Sequence, residues 1–361
     1  VNALLFLAGV VLLVVGADLL VRGSSRLALA VGLSPLIVGL TVVSFGTSAP
    51  ELAVSLKAAA AGTTEMAFGN VVGSNICNVL LILGLSALAA PLAIAPAVLR
   101  RDLPFLLGLS LLTALLALDG RLGTLDGLLL LACGVAHAVV SVRQERRAPR
   151  EEPQLPGGLS RGGRRALDVL FVLGGLALLV GGAHLLVGAA VSFARALGIS
   201  ELVVGLTIVA VGTSLPEIAA SVLASFRGAR DIAIGNVVGS NILNLALVLA
   251  LTAIVAPGGV TVPEDALNAD LPVMLGVALL CLPVFLNGRR VTRGEGLGFV
   301  LLYALYTTWL ALKAQESPQL ERLEAMILFV VFPVLAVAVL IWSAKAARRF
   351  REGRPRPAGG A

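Results

Sequence analysis

Charge is what this chain has least of. Only 13% of its 361 residues are Asp, Glu, Lys or Arg, about half the share of a soluble domain. That excludes a water-soluble globule, and a hydrophobic fraction of 58% agrees. Cysteine is scarce as well. Cys77, Cys133 and Cys281 lie in apolar stretches and form no CxxC pair, so they supply no disulfide framework. The two histidines, His137 and His184, stand apart from the polar motifs described below, and no HExxH occurs, which leaves an intramembrane hydrolase without its base. Short strands of alternating polarity are missing, which excludes a β-barrel. The first apolar segment lacks a basic leader and a clear cleavage site, so it reads as a retained helix and not a signal peptide.

What the chain does have is a succession of apolar segments, each long enough to cross a bilayer as a helix. They fall at 2–21, 35–60, 68–90, 103–118, 124–142, 166–190, 201–225, 232–256, 270–287, 296–313 and 324–343. The fold class is therefore an all-α integral membrane protein. A charged, Pro- and Gly-rich stretch at 143–165 cannot bury a core. It divides a first five-helix unit, residues 1–142, from a second at 166–313. Residues 314–361 add an eleventh helix and a basic tail.

Basic residues sort by loop. Of the 27 Lys and Arg, 22 fall on one side, including seven in the 143–165 linker and six after Ser343. Five fall on the other: Lys57, Arg121, Arg195, Lys313 and Arg322. The net charge of +6 thus reflects membrane topogenesis, not nucleic-acid binding. The positive-inside rule puts the linker and C-terminus in the cytoplasm and the N-terminus outside.

The two units are copies. Residues 32–91 align without gaps with 198–257, and 33 of the 60 positions are identical. An odd number of spans per unit makes the second copy enter the membrane from the opposite side. Secondary transporters use such inverted repeats for alternating access.

The copies agree best where they are most polar. "SFGTSAPE" (Ser44–Glu51) matches "AVGTSLPE" (Ala210–Glu217), and "GNVVGSN" recurs at 69–75 and 235–241, followed by Asn78 and Asn244. Pro50 and Pro216 have no N–H, which frees the carbonyls of Gly46 and Gly212. Such carbonyls are tolerated only where they line protein or a cavity. Thr47 and Glu51, four apart, share a helix face, with Ser48 three from Glu51; Thr213, Ser214 and Glu217 repeat this. Ser74 with Asn78, and Ser240 with Asn244, are likewise four apart.

Glu51 is the only charge between Arg26 and Lys57, and Glu217 the only one between Glu201 and Arg227. A carboxylate at a helix centre costs roughly 2.5–3.5 kcal/mol, so each needs a bound cation or a proton. For the Asn and Ser side chains the alternative is interhelical hydrogen bonding, above all for Asn70, Asn75 and their copies Asn236 and Asn241. Taken together, the groups are all oxygen ligands. That chemistry suits hard cations and not zinc, copper or iron. Two negative charges match one Ca2+ or a small cluster of Na+.

These motifs resemble the α-repeats of the sodium/calcium exchanger family, within the cation/calcium exchanger superfamily. The resemblance covers both repeats and a ten-span plan. It implies exchange of Na+ for Ca2+ by alternating access, with both ions bound as substrates in a lipid bilayer and no resident cofactor. Carried onto this chain, it implies Glu51 and Glu217 as central ligands of both ions. Thr47 and Thr213 match positions that give carbonyls and hydroxyls. Ser48, Ser214, Ser74 and Ser240 match Na+ ligands, Asn78 and Asn244 complete the centre, and the carbonyls of Ser44 and Ala210 match positions reaching outer Na+ sites.

Three features depart from the family pattern. Some relatives carry Asp where this chain has Asn78 or Asn244, which lowers the site's charge and argues against K+ dependence. The linker of about 23 residues is too short for the Ca2+-sensing domain of animal exchangers. The eleventh span exceeds the ten-span plan. H+/Ca2+ antiport and a cation channel are the rival readings; relatives that couple to H+ usually carry a His in the first motif, which this chain lacks. A prokaryotic-type plasma (inner) membrane is the expected location.

Overall fold

In a lipid core the α-helix satisfies every backbone polar group within one segment. The computed structural model, which describes residues 2–147, 161–196 and 210–351, is built almost entirely of helices. The first unit comprises α1 (Asn2–Val31), the bent pair α2 (Pro35–Thr47) and α3 (Ala49–Ala60), α4 (Thr64–Ala89), α5 (Val98–Asp119) and α6 (Thr124–Arg147). The second comprises α7 (Arg161–Ala196), α8 (Leu215–Phe226), α9 (Arg230–Val255), α10 (Ala266–Leu286) and α11 (Arg293–Ala314). A final helix, α12 (Leu320–Lys345), follows and packs against α10 at the edge of the bundle. Among the described residues nine helices are long and apolar enough to cross a membrane, or ten with the bent pair as one. The expected span at 201–225 is described only from residue 210 onward; its earlier part lies outside the described residues.

Several boundaries differ from those read off the sequence. The first helix runs to Val31, not residue 21. Its added turns carry Arg22 and Arg26, whose apolar stems stay on the helix while their charged heads reach polar partners. Arg22 and Arg227 pair with Asp18 at 2.9 and 2.6 Å, and Arg26 lies 4.0 Å from Asp168. Asp18 and Arg22 are four apart on one helix face, and Arg227 joins them from the other repeat. Helices also reach into the expected linker, up to Arg147 and from Arg161.

The repeats interlock through their loops. β1 (Leu92–Ala93) pairs antiparallel with β4 (Arg290–Val291), and β2 (Arg121–Leu122) pairs antiparallel with β3 (Val260–Thr261). Each pairing joins one loop from each repeat, and in both cases the alternation of spans puts the two loops on the same side. Within the second repeat, Lys313 at the end of α11 meets Asp265 at 2.8 Å.

Two helix contacts position the centre. α1 and α7 lie along each other at backbone distance: a Cβ added to Gly16 would fall 2.8 Å from the Gly175 carbonyl oxygen, and one on Gly182 would fall 2.9 Å from that of Gly9. Small residues permit this approach between membrane helices. The second contact joins α2 to α9, where a Cβ on Gly235 would lie 2.5 Å from the Leu36 carbonyl oxygen. The matching glycines of α4, Gly69 and Gly73, meet no such atom within 4 Å among the described residues.

Away from the centre, Asp102 is fully buried on α5. It takes Arg101 at 2.7 Å and His137 Nε2 at 3.0 Å, with the His137 ring stacked on Phe105. Its counterpart in the second repeat, Asp270, accepts from Tyr306 at 2.9 Å. His184 is exposed on α7. Both histidines therefore stand outside the polar centre.

Candidate functional site

The polar motifs converge where the crossing helix breaks. Ser48 joins α2 to α3 with φ −82° and ψ 5°, and Ser214 precedes α8 with φ −87° and ψ 5°. The bridge region they occupy is sparsely populated and recurs at functional positions. The sequence reading of one continuous span at 35–60 gives way to two segments bent by 44°. The cause is local: Pro50 and Pro216 sit in the first turn of a new helix, where a missing N–H costs nothing. Glu51 and Glu217 then fall in that first turn as well, where the positive end of the helix dipole favours a carboxylate. Gly46 and Gly212 have a packing role at the break: a Cβ on either would run into Leu176 or Val187 of α7.

Glu51 and Glu217 are 1% and 2% exposed. No Lys or Arg forms an ion pair with either among the described residues. Their partners are hydroxyls from the opposite repeat. Ser48 Oγ donates to Glu217 Oε1 at 3.0 Å, and Ser214 Oγ donates to Glu51 Oε1 at 3.3 Å. Each bond engages one carboxylate oxygen, leaving Glu51 Oε2 and Glu217 Oε2 buried without a hydrogen-bond partner.

Asn78 and Asn244 each open a π-helical stretch, Asn78–Leu83 and Asn244–Leu249. Such wide turns are frequent at functional sites. Asn78 Nδ2 donates to Asn241 Oδ1 at 3.1 Å, and Asn244 Nδ2 donates to Asn75 Oδ1 at 3.3 Å. The carbonyl ends, Asn78 Oδ1 and Asn244 Oδ1, are buried and unpaired, as are Thr213 Oγ1 and Ser240 Oγ. Ser74 is buried on the face it shares with Asn78.

The remaining candidates are held differently. Thr47 Oγ1 donates to Asn236 Oδ1 at 3.1 Å and lies 3.4 Å from the Ser44 carbonyl. Ser44 turns its hydroxyl back to the Leu40 carbonyl at 2.8 Å, and its own carbonyl accepts the Ser48 N–H at 2.9 Å. Ala210 begins the short helix Ala210–Gly212.

A second layer joins Asn70 and Asn236, read from the sequence as interhelical hydrogen-bonding residues, to two serines that were not singled out, Ser55 and Ser221. Asn236 Nδ2 donates to Ser221 Oγ at 2.8 Å, and Asn70 Nδ2 donates to Ser55 Oγ at 3.0 Å and to the Glu51 carbonyl at 3.3 Å. Ser55 and Ser221 are fully buried one turn past each Glu. A signal existed, because both are identities in the aligned repeats.

Among the described residues no group of three or more His, Cys, Asp or Glu could hold a metal. The oxygens gathered here belong instead to two carboxylates, amides and hydroxyls. Buried oxygens without donors sit here beside carboxylates without basic partners, an arrangement that a cation or a proton would stabilise.

An all-helical, multi-pass membrane transporter built as an inverted repeat is the class that this fold and centre define. The family model for sodium/calcium exchanger proteins matches residues 1–141 and 167–312. The inner membrane protein YrbG of Escherichia coli (strain K12) is 40% identical over 323 residues, covering 87% of this chain and 97% of that protein. The sodium/calcium exchanger MaX1 of Methanosarcina acetivorans is 32% identical over 348 residues, covering 85% and 97%. A solved structure of the sodium-calcium exchanger NCX_Mj superposes with a TM-score of 0.74 at 30% identity, covering 84% of this chain and 97% of that one. The chain belongs to the sodium/calcium exchanger family. It is a cation/Ca2+ antiporter, a transporter and not an enzyme.

Proposed function

We propose that the protein exchanges Na+ for Ca2+ across the membrane, with both ions competing for one site shared by the two repeats. The observation that carries this reading is the set of six buried, unpaired oxygens: Glu51 Oε2, Glu217 Oε2, Asn78 Oδ1, Asn244 Oδ1, Thr213 Oγ1 and Ser240 Oγ. A hard cation takes about 6–8 such oxygens, carboxylates included. Thr47, Ser48, Ser214 and Ser74 complete the first ring. Ser44 and Ala210 contribute backbone carbonyls at its edge. The ions are substrates, and no resident cofactor is needed.

Occupancy by one Ca2+, or by Na+ ions, neutralises the two carboxylates. An empty site carries two bare carboxylates through a low-dielectric interior, at roughly 2.5–3.5 kcal/mol each, so it reorients slowly. That difference couples the two fluxes. The N-terminus lies outside and the linker and C-terminus in the cytoplasm of a prokaryotic plasma membrane, in keeping with the charge asymmetry. The five-helix units at 1–142 and 166–313 are the functional halves, and 314–361 is an addition to them.

The absence of a histidine beside the carboxylates favours Na+ over H+ as the coupling ion. Reconstituted vesicles test this. Ca2+ uptake should require Na+ on the opposite side and persist with a protonophore. Uptake driven only by a pH gradient would make the protein an H+/Ca2+ antiporter. Uptake with no counter-ion would make it a channel.

A further inference from the structure

An asparagine ligand presents a problem that a carboxylate does not. One end of its amide is an oxygen that a cation can use; the other is an amino group that repels it. Burial leaves the two orientations similar in shape, so something must choose between them. We infer that Asn241 and Asn75 are positioning residues that make this choice for Asn78 and Asn244. The inference rests on the cation-site reading above.

The geometry is reciprocal. Asn241 Oδ1 accepts the amino group of Asn78 at 3.1 Å, and Asn75 Oδ1 accepts that of Asn244 at 3.3 Å. With each amino group tied, Asn78 Oδ1 and Asn244 Oδ1 are the ends left unpaired. Both bonds cross between α4 and α9, so the orienting residue of each repeat serves the ligand of the other. Asn75 and Asn241 also line a separate small cavity of about 10 Å3 with Ser110 and Met274, and Asn75 Nδ2 points to Met274 Sδ at 3.6 Å. Asn75 thus directs its amino group to a sulfur and its oxygen to Asn244.

This explains why "GSN" is kept in both copies three residues ahead of the ligand Asn. A chain with Asp at the ligand position would have less need of it, since a carboxylate offers oxygen at both ends. The dependence on an orienting acceptor is specific to an amide ligand, and this chain has an amide at both positions.

The test is Ca2+ titration of the purified full-length chain, with an ion-free melting curve of each variant to establish that it folds. Asn241→Leu removes the acceptor at similar volume and should weaken Ca2+ binding roughly tenfold, the scale of one buried hydrogen bond. Asn241→Asp keeps an acceptor and should recover most of that loss. The deciding comparison repeats Asn241→Leu in an Asn78→Asp background, where the loss should shrink to within about twofold. An equal loss in both backgrounds, or no loss from Asn241→Leu alone, would overturn the positioning role while leaving the ion site standing. Failure of the unaltered chain to bind Ca2+ would overturn the site itself.

Discussion

Glu51→Gln is the perturbation that bears most on the site. In the structure, Ser214 Oγ holds Glu51 Oε1 at 3.3 Å while Oε2 is buried and unpaired. A glutamine keeps the hydroxyl's acceptor but puts an amino group where the free oxygen was. It removes one of two negative charges and adds a donor facing the ion. Removing one partner of a buried charge arrangement costs about 3–5 kcal/mol. At 1.4 kcal/mol per tenfold, Ca2+ affinity should fall by roughly two to three and a half orders of magnitude. Na+ carries half the charge, so its loss should be roughly half as large in free energy. In ion-free buffer the variant should melt no lower than the unaltered chain, because a neutral amide is easier to bury than a carboxylate. Calorimetric titration with Ca2+ and Na+, beside thermal melts with and without ions, measures all three. Glu217→Gln should behave alike, since Ser48 holds it in the same way at 3.0 Å. A variant that folds and still binds Ca2+ within threefold of the unaltered chain would refute the reasoning.

The other contacts carry smaller consequences. Ser48→Ala and Ser214→Ala each remove one bond to a charged carboxylate, worth about 1.5–3 kcal/mol; vesicle uptake should show KM for Ca2+ raised tenfold or more. Gly235→Ala places a methyl 2.5 Å from the Leu36 carbonyl oxygen, where backbone has to move. It should cost about 1–3 kcal/mol of stability and slow exchange, readable from melting curves and transport rates of the same preparation. Arg227→Ala severs the 2.6 Å contact with Asp18. Both side chains are partly solvent-exposed and Arg22 remains as a partner, so thermal stability should fall by less than about 1 kcal/mol.

Much of this architecture was legible in the sequence because a bilayer imposes few solutions. Span length and the repeat at 32–91 and 198–257 gave helices and inversion without coordinates, and the alternation of spans sorted the loops into two groups. The paired loops at Leu92–Ala93 with Arg290–Val291, and at Arg121–Leu122 with Val260–Thr261, each join two loops of one group. Glu51 and Glu217 were conspicuous as lone charges in apolar spans. Pro50 and Gly46 signalled a disturbance but not its form. The segment at 35–60 reads as one span, and the bend at Ser48 follows from a second helix starting at Ala49. Least legible were contacts between repeats. Nothing in the spacing says that Ser48 serves Glu217 and not Glu51, or that Asn236 takes Thr47. The second choice depends on how close α2 and α9 come, which glycines set in three dimensions. The π-helical turns at Asn78 and Asn244 carry no distinguishing sequence pattern.

The central claim is that two matched halves build one cation site. Ca2+ binding stoichiometry of the purified chain, measured with and without competing Na+, addresses it most directly. One Ca2+ per chain, displaced competitively by Na+ and weakened by loss of either Glu51 or Glu217, is the expected result. Two independent Ca2+ ions per chain, one surviving the loss of each glutamate, would contradict it.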